Sequence, residues 1–148
     1  MNEQVTILHV DDRPDDLWLF SIAFDKSGIT GTVVSLVSTQ AAILYLNRMG
    51  EYAQAARPDR IILDYEMPWM NGKQLIDVIR STETFKNIPI VLLSGADPDV
   101  LARDNPGVDA IVVKPNNIEG LIALMPTLMG PLTSKIYRVP RTSRTPWR

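Results

Sequence analysis

The sequence predicts an α/β fold, a doubly wound parallel sheet with helices on both faces. Two observations predict it. Short apolar runs recur along the chain, and turn-forming residues such as Gly, Pro, Asn and Asp punctuate the segments between them. Between these runs, apolar residues return at the spacing of an amphipathic helix. Strands that alternate with helices are typical of a parallel sheet, because a helix carries the chain back to the start of each new strand.

The strands are predicted from apolar runs that have the length and composition of buried strands. They are rich in Val, Ile and Leu, which suits strands that are covered on both faces. The predicted strands are residues 5–10, 31–37, 60–64, 90–93 and 110–113.

The helices are predicted from their end signals as well as from their spacing. Pro14 opens the first helix, because proline suits a first turn, and the acids Asp15 and Asp16 favour the positive end of the helix dipole. Gly28 ends that helix, and Pro126 is expected to weaken or kink the last one. The predicted helices are residues 14–27, 41–49, 73–81, 100–103 and 118–128, the fourth being short.

The composition is that of one globular domain. The chain has 148 residues, of which 45% are hydrophobic and 22% charged, and a domain of this length buries a sizeable core. Cysteine is absent, which excludes a disulfide framework, a thiolate metal site and a cysteine nucleophile. The first residues carry acid rather than base and precede only a short apolar run, so neither a signal peptide nor a membrane span is expected. The chain is therefore expected to be soluble and cytoplasmic.

Charge is unevenly distributed along the chain. Residues 120–148 contain five basic residues and no acidic one, whereas the preceding part contains 10 basic and 17 acidic residues. An acidic body argues against direct DNA binding, and no DNA-binding domain fits in the tail. Residues 131–148, rich in Pro, Ser and Thr, are expected to form either an irregular solvated tail or an extension that docks on a partner or on a second copy in a homodimer.

Polar residues follow four of the predicted strands immediately. In a doubly wound sheet the functional crevice lies beyond the carboxyl ends of the strands, so these residues should converge on one edge. Each alone would more often be a helix cap or a solvated charge, but several such positions in order favour a functional site. The candidates are Asp11 and Asp12 after the first strand, Asp64 at the end of the third, Ser94 after the fourth and Lys114 after the fifth.

These residue types together predict phosphoryl transfer. Carboxylates gathered at one edge repel each other unless a cation offsets their charge, and Mg2+ prefers a few carboxylates, a carbonyl and water. Asp64 is the carboxylate placed to form an aspartyl phosphate. Lys114 supplies positive charge for the phosphoryl oxygens, and Ser94 supplies a hydroxyl donor.

The candidate residues occur in motifs. Residues 64–72 read Asp-Tyr-Glu-Met-Pro-Trp-Met-Asn-Gly, Ser94 is followed by Gly-Ala, and Lys114 is followed by Pro. With the preceding Asp-Asp pair, in this order and spacing, residues 4–130 resemble the response-regulator receiver domains of two-component signalling. The resemblance implies a flavodoxin-like (βα)5 fold with a five-stranded parallel sheet in the order 2-1-3-4-5. It also implies a phosphoacceptor rather than a classical enzyme: a sensor histidine kinase or phosphotransfer protein phosphorylates Asp64, and the chain signals through contact with a downstream protein target.

The resemblance implies roles for the other motif residues. Ser94 takes the place of the family's switch Ser or Thr, and Lys114 that of its invariant lysine, whose bond to the following proline is commonly cis. The ligands of Mg2+ are expected to be Asp12, Asp64, Asp11 partly through water, and the backbone carbonyl of Glu66.

Two features depart from the family pattern. Ile111 stands three residues before Lys114, where the family usually has a Tyr or Phe whose rotamer couples to phosphorylation. The short fourth helix alters the usual output face. Two alternatives follow: a pseudo-receiver that binds partners without phosphorylation, and a small phosphotransferase that uses an aspartyl phosphate. The second fits less well, because Asp64 follows the third strand rather than the first and the chain has no room for a cap domain.

Overall fold

The structure, a computed structural model, describes residues 4–65 and 72–137. The strands are β1 (Val5–Val10), β2 (Gly31–Leu36), β3 (Arg60–Asp64), β4 (Ile90–Ser94), β5 (Ala110–Val113) and β6 (Ile136–Tyr137). They form one sheet in the order β2-β1-β3-β4-β5-β6, and each neighbouring pair in it is parallel. The predicted flavodoxin-like fold and the strand order 2-1-3-4-5 are confirmed, with β6 as an addition at one end.

The additional strand β6 covers the outer side of β5. Ile136 lies opposite Ile111 in the register, and the backbone N–H of Ile111 donates to the carbonyl of Lys135 at 2.6 Å. A strand of two residues has no periodicity that a sequence pattern could detect, because alternation needs several residues to be visible. The beginning of segment 131–148 therefore runs along the sheet.

Among the residues that the structure describes, five α-helices connect the strands, with a short 3-10 turn at Gly50–Tyr52. Side chains cap three of the helices: Ser38 accepts from the N–H of Ala41, Asp97 from that of Asp99, and Asn117 from that of Gly120. Such bonds satisfy N–H groups that have no partner within the helix. The helices are α1 (Pro14–Ser27), α2 (Thr39–Leu46), α3 (Gly72–Ser81), α4 (Pro98–Asp104) and α5 (Ile118–Met129).

Two apolar layers hold the helices to the sheet. Successive residues of a strand point to opposite faces, so Ile7 of β1 packs in the layer with α1 and α5, whereas Leu8 packs in the layer with α2, α3 and α4. Both side chains are almost fully buried. This alternation fixes which strand residues face which helices, and it leaves the strand ends as the places where polar side chains can gather.

The carboxyl ends of the strands form the part of the sheet on which the candidate residues lie. Asp64 is the last residue of β3 and Ser94 the last of β4. The backbone N–H of Lys114 donates to the carbonyl of Ser94 at 2.9 Å, so the end of β5 lies beside the end of β4. Asp11 directly follows β1. We call this region, with Asp11, Asp64, Ser94 and Lys114, the carboxyl edge.

Candidate functional site

Lys114 stands at the centre of the carboxyl edge. Its Nζ donates hydrogen bonds to Oδ2 of Asp64 and to Oδ2 of Asp16, both at 2.9 Å, and it lies 3.9 Å from Oδ2 of Asp11. These residues come from β5, β3, α1 and the end of β1. The structure therefore brings Asp11, Asp64 and Lys114 together, as their positions after strands predict.

The acids at this edge are held close to one another. One carboxylate oxygen from each of Asp11, Asp16 and Asp64 lies within 4.8 Å of the others. Asp11 and Asp64 are buried, with exposed fractions of 1% and 2%. Like charges this close raise the free energy of the ionised state unless a cation lies among them. The Lys114 ammonium offsets only part of this charge.

Two carboxylate oxygens at the edge are buried without a hydrogen-bond partner among the described residues. They are Oδ2 of Asp11 and Oδ1 of Asp12. The other oxygen of Asp11 accepts from the backbone N–H of Arg13 at 2.9 Å. Because a buried unpaired oxygen is costly, such atoms indicate a site built to bind something else. Asp12 lies outside the cluster of Asp11, Asp16 and Asp64.

The close packing of charged groups at the carboxyl edge shifts the pKa values of Asp11 and Lys114. The pKa of the Asp11 carboxyl is raised to about 7: burial raises it most, the N–H of Arg13 acts in the opposite direction, and the neighbouring Asp64 carboxyl also raises it. Burial lowers the pKa of Lys114, but its hydrogen bonds to Asp64 and Asp16 outweigh burial, and the net pKa is raised. Lys114 therefore stays cationic at neutral pH, whereas Asp11 holds a proton part of the time.

Ser94 closes the edge on the β4 side. It is fully buried, and its Oγ accepts from the backbone N–H of Ala96 at 3.0 Å. A side chain at Gly95 would meet nothing within 4 Å, so the turn after β4 is open on its outer side.

Asp16 is the site residue that the sequence analysis missed, since it was assigned only to the helix dipole. The signal that could have found it is helical spacing. Asp16 lies four residues before Phe20, which is buried on the inner face of α1, whereas Asp15 is exposed. Residues four apart share a helix face, so Asp16 points inward. The remaining predicted ligand, Glu66, lies outside the described residues.

A cavity of about 140 Å³ lies beside the carboxyl edge, between α1 and α5. Its lining includes His9, Phe20, Lys114 and Leu121. His9 is 1% exposed, its ring centroid lies 4.1 Å from that of Phe20, and neither ring nitrogen has a hydrogen-bond partner among the described residues. Burial is the main reason that the pKa of His9 falls to about 3, so the imidazole is neutral at physiological pH.

The structure bears on two expectations from the family pattern, one at Ile111 and one at the bond before Pro115. Ile111 is fully buried and packs in the layer of α2, α3 and α4, so an aliphatic side chain fills the position where the family has a surface-linked aromatic ring. The expected cis bond before Pro115 is wrong: within residues 4–65 and 72–137 every peptide bond is trans.

The fold and the carboxyl edge define a doubly wound α/β protein with buried acids and a lysine at the strand ends. The family model of the response regulator receiver domain matches residues 7–125. The chain belongs to the response regulator receiver family, a family of signalling domains that act in two-component systems.

Individual proteins agree with this assignment. The response regulator Rcp1 of Synechocystis sp. is 29% identical over 126 residues, which is 84% of this chain and 86% of Rcp1. The phosphorylated cyanobacterial phytochrome response regulator RcpA superposes with a TM-score of 0.75 at 29% identity, over 89% of this chain and 100% of RcpA. A Mn2+-bound form of Rcp1 superposes with a TM-score of 0.73 at 26% identity, over 88% of this chain and 99% of that one.

In the part of the chain that the structure describes, no helix is both long enough and apolar enough to cross a membrane.

Proposed function

We propose that this protein is a cytoplasmic response regulator in which Asp64 accepts a phosphoryl group from a sensor histidine kinase or a phosphotransfer protein. It then signals through contact with a downstream protein target. The observation that carries the proposal is the hydrogen bond of 2.9 Å between Nζ of Lys114 and Oδ2 of Asp64. It puts a cation against a buried carboxylate at the edge where ligands of doubly wound sheets bind.

The proposed transfer uses Asp64 as the nucleophile. A carboxylate oxygen of Asp64 forms a bond to phosphorus while the P–N bond of the donor phosphohistidine breaks. The electron pair of that bond goes to the imidazole nitrogen of the donor. Lys114 stays beside the new acyl phosphate and donates to a phosphoryl oxygen, while Ser94 supplies a hydroxyl on the β4 side.

The acids at the edge fit a divalent cation, and we propose Mg2+. The proposed ligands are Asp11, Asp12, Asp64 and the backbone carbonyl of Glu66. Oδ2 of Asp11 and Oδ1 of Asp12 are buried without a hydrogen-bond partner in the described residues, and carboxylate oxygens are what Mg2+ prefers. The Mn2+-bound structure of the similar Rcp1 supports a divalent site in a related protein. When bound, Mg2+ would offset the negative charge that gathers around the phosphoryl group.

A second candidate is a pseudo-receiver that binds partners with little phosphorylation. Buried Ile111 favours it, because an aliphatic side chain in the core lacks the rotamer switch of an aromatic residue. The unpaired acids oppose it, since a binding module would have no reason to keep buried oxygens that are costly without a cation.

The two candidates differ in one measurement. Intact mass after incubation with acetyl phosphate and Mg2+ should show the addition of one phosphoryl group to the wild type and none to Asp64→Asn. Asp25→Asn, an exposed acid of α1, is the matched control and should behave as the wild type. If the wild type gains no phosphoryl group while a known receiver domain does so in parallel, the proposal fails and the pseudo-receiver takes its place.

We also propose that the receiver domain spans residues 4–130 and that segment 131–148 governs self-association or partner affinity. Part of this segment forms β6 on the outer edge of β5. Two truncations separate the contributions: removal of 138–148 keeps β6, and removal of 131–148 deletes it. The sedimentation of the full-length chain, measured with and without a phosphoryl analogue, should differ from that of the truncated forms. Identical sedimentation of the full-length chain and both truncations would contradict the proposal.

A further inference from the structure

Lys114 makes two equal contacts, and only one of them belongs to the proposed phosphoacceptor. We propose that Asp16 is a positioning residue for Lys114: its carboxylate holds the ammonium beside Asp64, where a phosphoryl oxygen will need it. The inference rests on the proposed function and extends it to a residue on another element.

The geometry of the contact supports this role. Nζ of Lys114 lies 2.9 Å from Oδ2 of Asp16 and 2.9 Å from Oδ2 of Asp64. Asp16 belongs to the first turn of α1, whose start is fixed by Pro14 at the N-terminus of the helix. Asp16 thus connects α1 to the residue that follows β5, and its position does not depend on Asp64.

A lysine needs such a contact more than an arginine would. Its ammonium is a point charge on a flexible four-carbon stem, with donors that rotate freely. One hydrogen bond leaves several side-chain rotamers open, and the exposed fraction of the Lys114 side chain is 27%, so water competes for it. A second carboxylate on a rigid helix restricts the ammonium to one place before the phosphoryl group arrives.

Asp16 could instead be read as a metal ligand, because its carboxylate lies in the cluster with Asp11 and Asp64. Its hydrogen bonding argues against that reading. Oδ2 of Asp16 accepts from Lys114, as Oδ2 of Asp64 does, but it also lies 3.6 Å from Nε of Arg13, so a second cation faces it. Oδ1 of Asp12 is buried with no hydrogen-bond partner in the described residues. Asp12 is therefore the better ligand, and Asp16 serves the lysine.

The test compares two substitutions that differ in one property. Asp16→Asn keeps an oxygen that can accept from Lys114 but removes the charge, whereas Asp16→Ala removes both. With acetyl phosphate as donor and saturating Mg2+, we expect the phosphorylation rate to fall on the order of tenfold in Asp16→Ala and by less in Asp16→Asn. Asp15→Asn, an exposed acid in the same helical turn, should leave the rate unchanged.

Calorimetric titration with Mg2+ alone separates positioning from metal binding. The affinity should stay within about twofold of the wild type in both Asp16 variants and fall at least tenfold in Asp12→Asn, since only a ligand contributes charge to the metal directly. A wild-type rate in Asp16→Ala would overturn the inference. A fall in Mg2+ affinity that matches the fall in rate would also overturn it, because Asp16 would then be a ligand.

Failure of the proposed function would be visible separately, as a wild type that is not phosphorylated at all. The contact between Asp16 and Lys114 is then judged by a double-mutant cycle on unfolding, with Asp16→Ala, Lys114→Ala and the double variant. We expect a coupling on the order of fivefold in the unfolding equilibrium constant. A coupling of zero would overturn the inference whether or not Asp64 is phosphorylated.

Discussion

The two edges of the sheet treat charged residues in opposite ways. At the carboxyl edge, buried acids outnumber the cation beside them. At the other edge, where the strands begin, charged side chains are paired in hydrogen bonds to the backbone. We call this second region, with Asp59, Arg60, Arg80 and Asp109, the amino edge.

Arg80 shows how completely the amino edge is satisfied. Its guanidinium, at the end of α3, donates to the carbonyls of Gly107, Lys86 and Ile88 at 2.7 to 2.9 Å. It also donates to Oδ2 of Asp109 at 2.6 Å. Arg80 thus ties together the loops that lead into β4 and β5. The planar fork of arginine suits this role, because several donors are fixed in one geometry.

The other charges of the amino edge are paired in the same manner. Oδ2 of Asp109 accepts from the backbone N–H of Ile90 at 2.8 Å, and Oδ2 of Asp59 accepts from that of Thr6 at 2.7 Å. Arg60 donates to two carbonyls at the end of α5, that of Leu128 and that of Gly130, the residue after the helix. Each contact fixes a strand start or a helix end.

The difference between the edges separates structure from function. Charges at the amino edge find partners within the chain, so they stabilise it. Acids at the carboxyl edge keep buried oxygens without a partner and repel each other, so they destabilise the chain until a cation or a phosphoryl group arrives. Active sites commonly carry such a cost. Substitutions at the two edges should therefore change stability in opposite directions.

The largest effect is expected at the amino edge. Arg80→Ala should lower the free energy of unfolding by about 3 kcal/mol, because it removes four hydrogen bonds that join three carbonyls and the Asp109 carboxylate to one side chain. Urea denaturation measures this directly. The variant should still be phosphorylated at low temperature, where it stays folded.

A matched control for Arg80 is Lys86→Ala. The Lys86 side chain is exposed, and its ion pair within residues 4–65 and 72–137 is with Glu83, at 3.0 Å, so its loss should change stability by less than about 0.5 kcal/mol. Equal losses in the two variants would show that the hydrogen bonds of Arg80 do not stabilise the amino edge, and the comparison between the edges would fail.

The second effect is a pH dependence at the carboxyl edge. Because the pKa of Asp11 is raised to about 7, a proton competes with Mg2+ for this carboxylate below neutral pH. The Mg2+ affinity should therefore fall by about tenfold between pH 8 and pH 6. Calorimetric titration in buffers of constant ionic strength measures it. Asp11→Asn should bind Mg2+ more weakly, with an affinity that is nearly constant over this pH range. If the affinity of the variant depends on pH as steeply as that of the wild type, the proton belongs to another group.

Much of the carboxyl edge could be predicted from the sequence, because the apolar runs stop abruptly at polar residues. The apolar run that ends in Leu63 gives way to Asp64, and the run that ends in Val113 gives way to Lys114. A residue placed at a strand end in a parallel sheet has its position fixed by the topology alone. The fold and the approach of these residues to one another follow from that rule.

The missed features depend on contacts that have no local pattern. Asp15 and Asp16 satisfy the helix dipole equally well; helical spacing places Asp16 on the inner face of α1 with Phe20, but its contact with Lys114, 98 residues away, depends on how α1 packs. Arg80 and Asp109 are 29 residues apart, so nothing near either residue indicates the pairing. The strand β6 is held by the edge of β5 rather than by its own composition. Tertiary packing decides all of these.

The third effect is a change in the free energy of unfolding that is opposite in sign to that of Arg80→Ala. In Mg2+-free buffer, Asp11→Asn should raise the free energy of unfolding by about 1 kcal/mol, because it removes a buried charge next to Asp64. Urea denaturation with and without Mg2+ tests it. Addition of Mg2+ should stabilise the wild type and leave the variant nearly unchanged. A variant less stable than the wild type in Mg2+-free buffer would show that Asp11 stabilises the fold, as the charged residues of the amino edge do.

The smallest effect lies just beneath the carboxyl edge, at His9, the sole histidine of the chain. Its pKa is about 3 in the folded protein, against the ordinary imidazole value of 6.5 in the unfolded chain, so only the unfolded chain gains a proton as the pH falls from 7 to 6. That proton favours unfolding: stability present above pH 6.5 is lost as the pH falls toward the folded pKa. Asp11, with a raised pKa, acts in the opposite direction over the same range.

The His9 contribution can be isolated by difference, since Asp11 is common to both proteins. Relative to His9→Leu, the wild type should lose roughly 0.7 kcal/mol of unfolding free energy between pH 7 and pH 6. Urea denaturation at the two pH values gives both numbers. A difference that stays constant would mean that His9 exchanges protons freely in the folded protein, and therefore that water reaches the cavity between α1 and α5. The destabilisation at the carboxyl edge would then come from its acidic residues alone, with no contribution from the apolar layer beneath them.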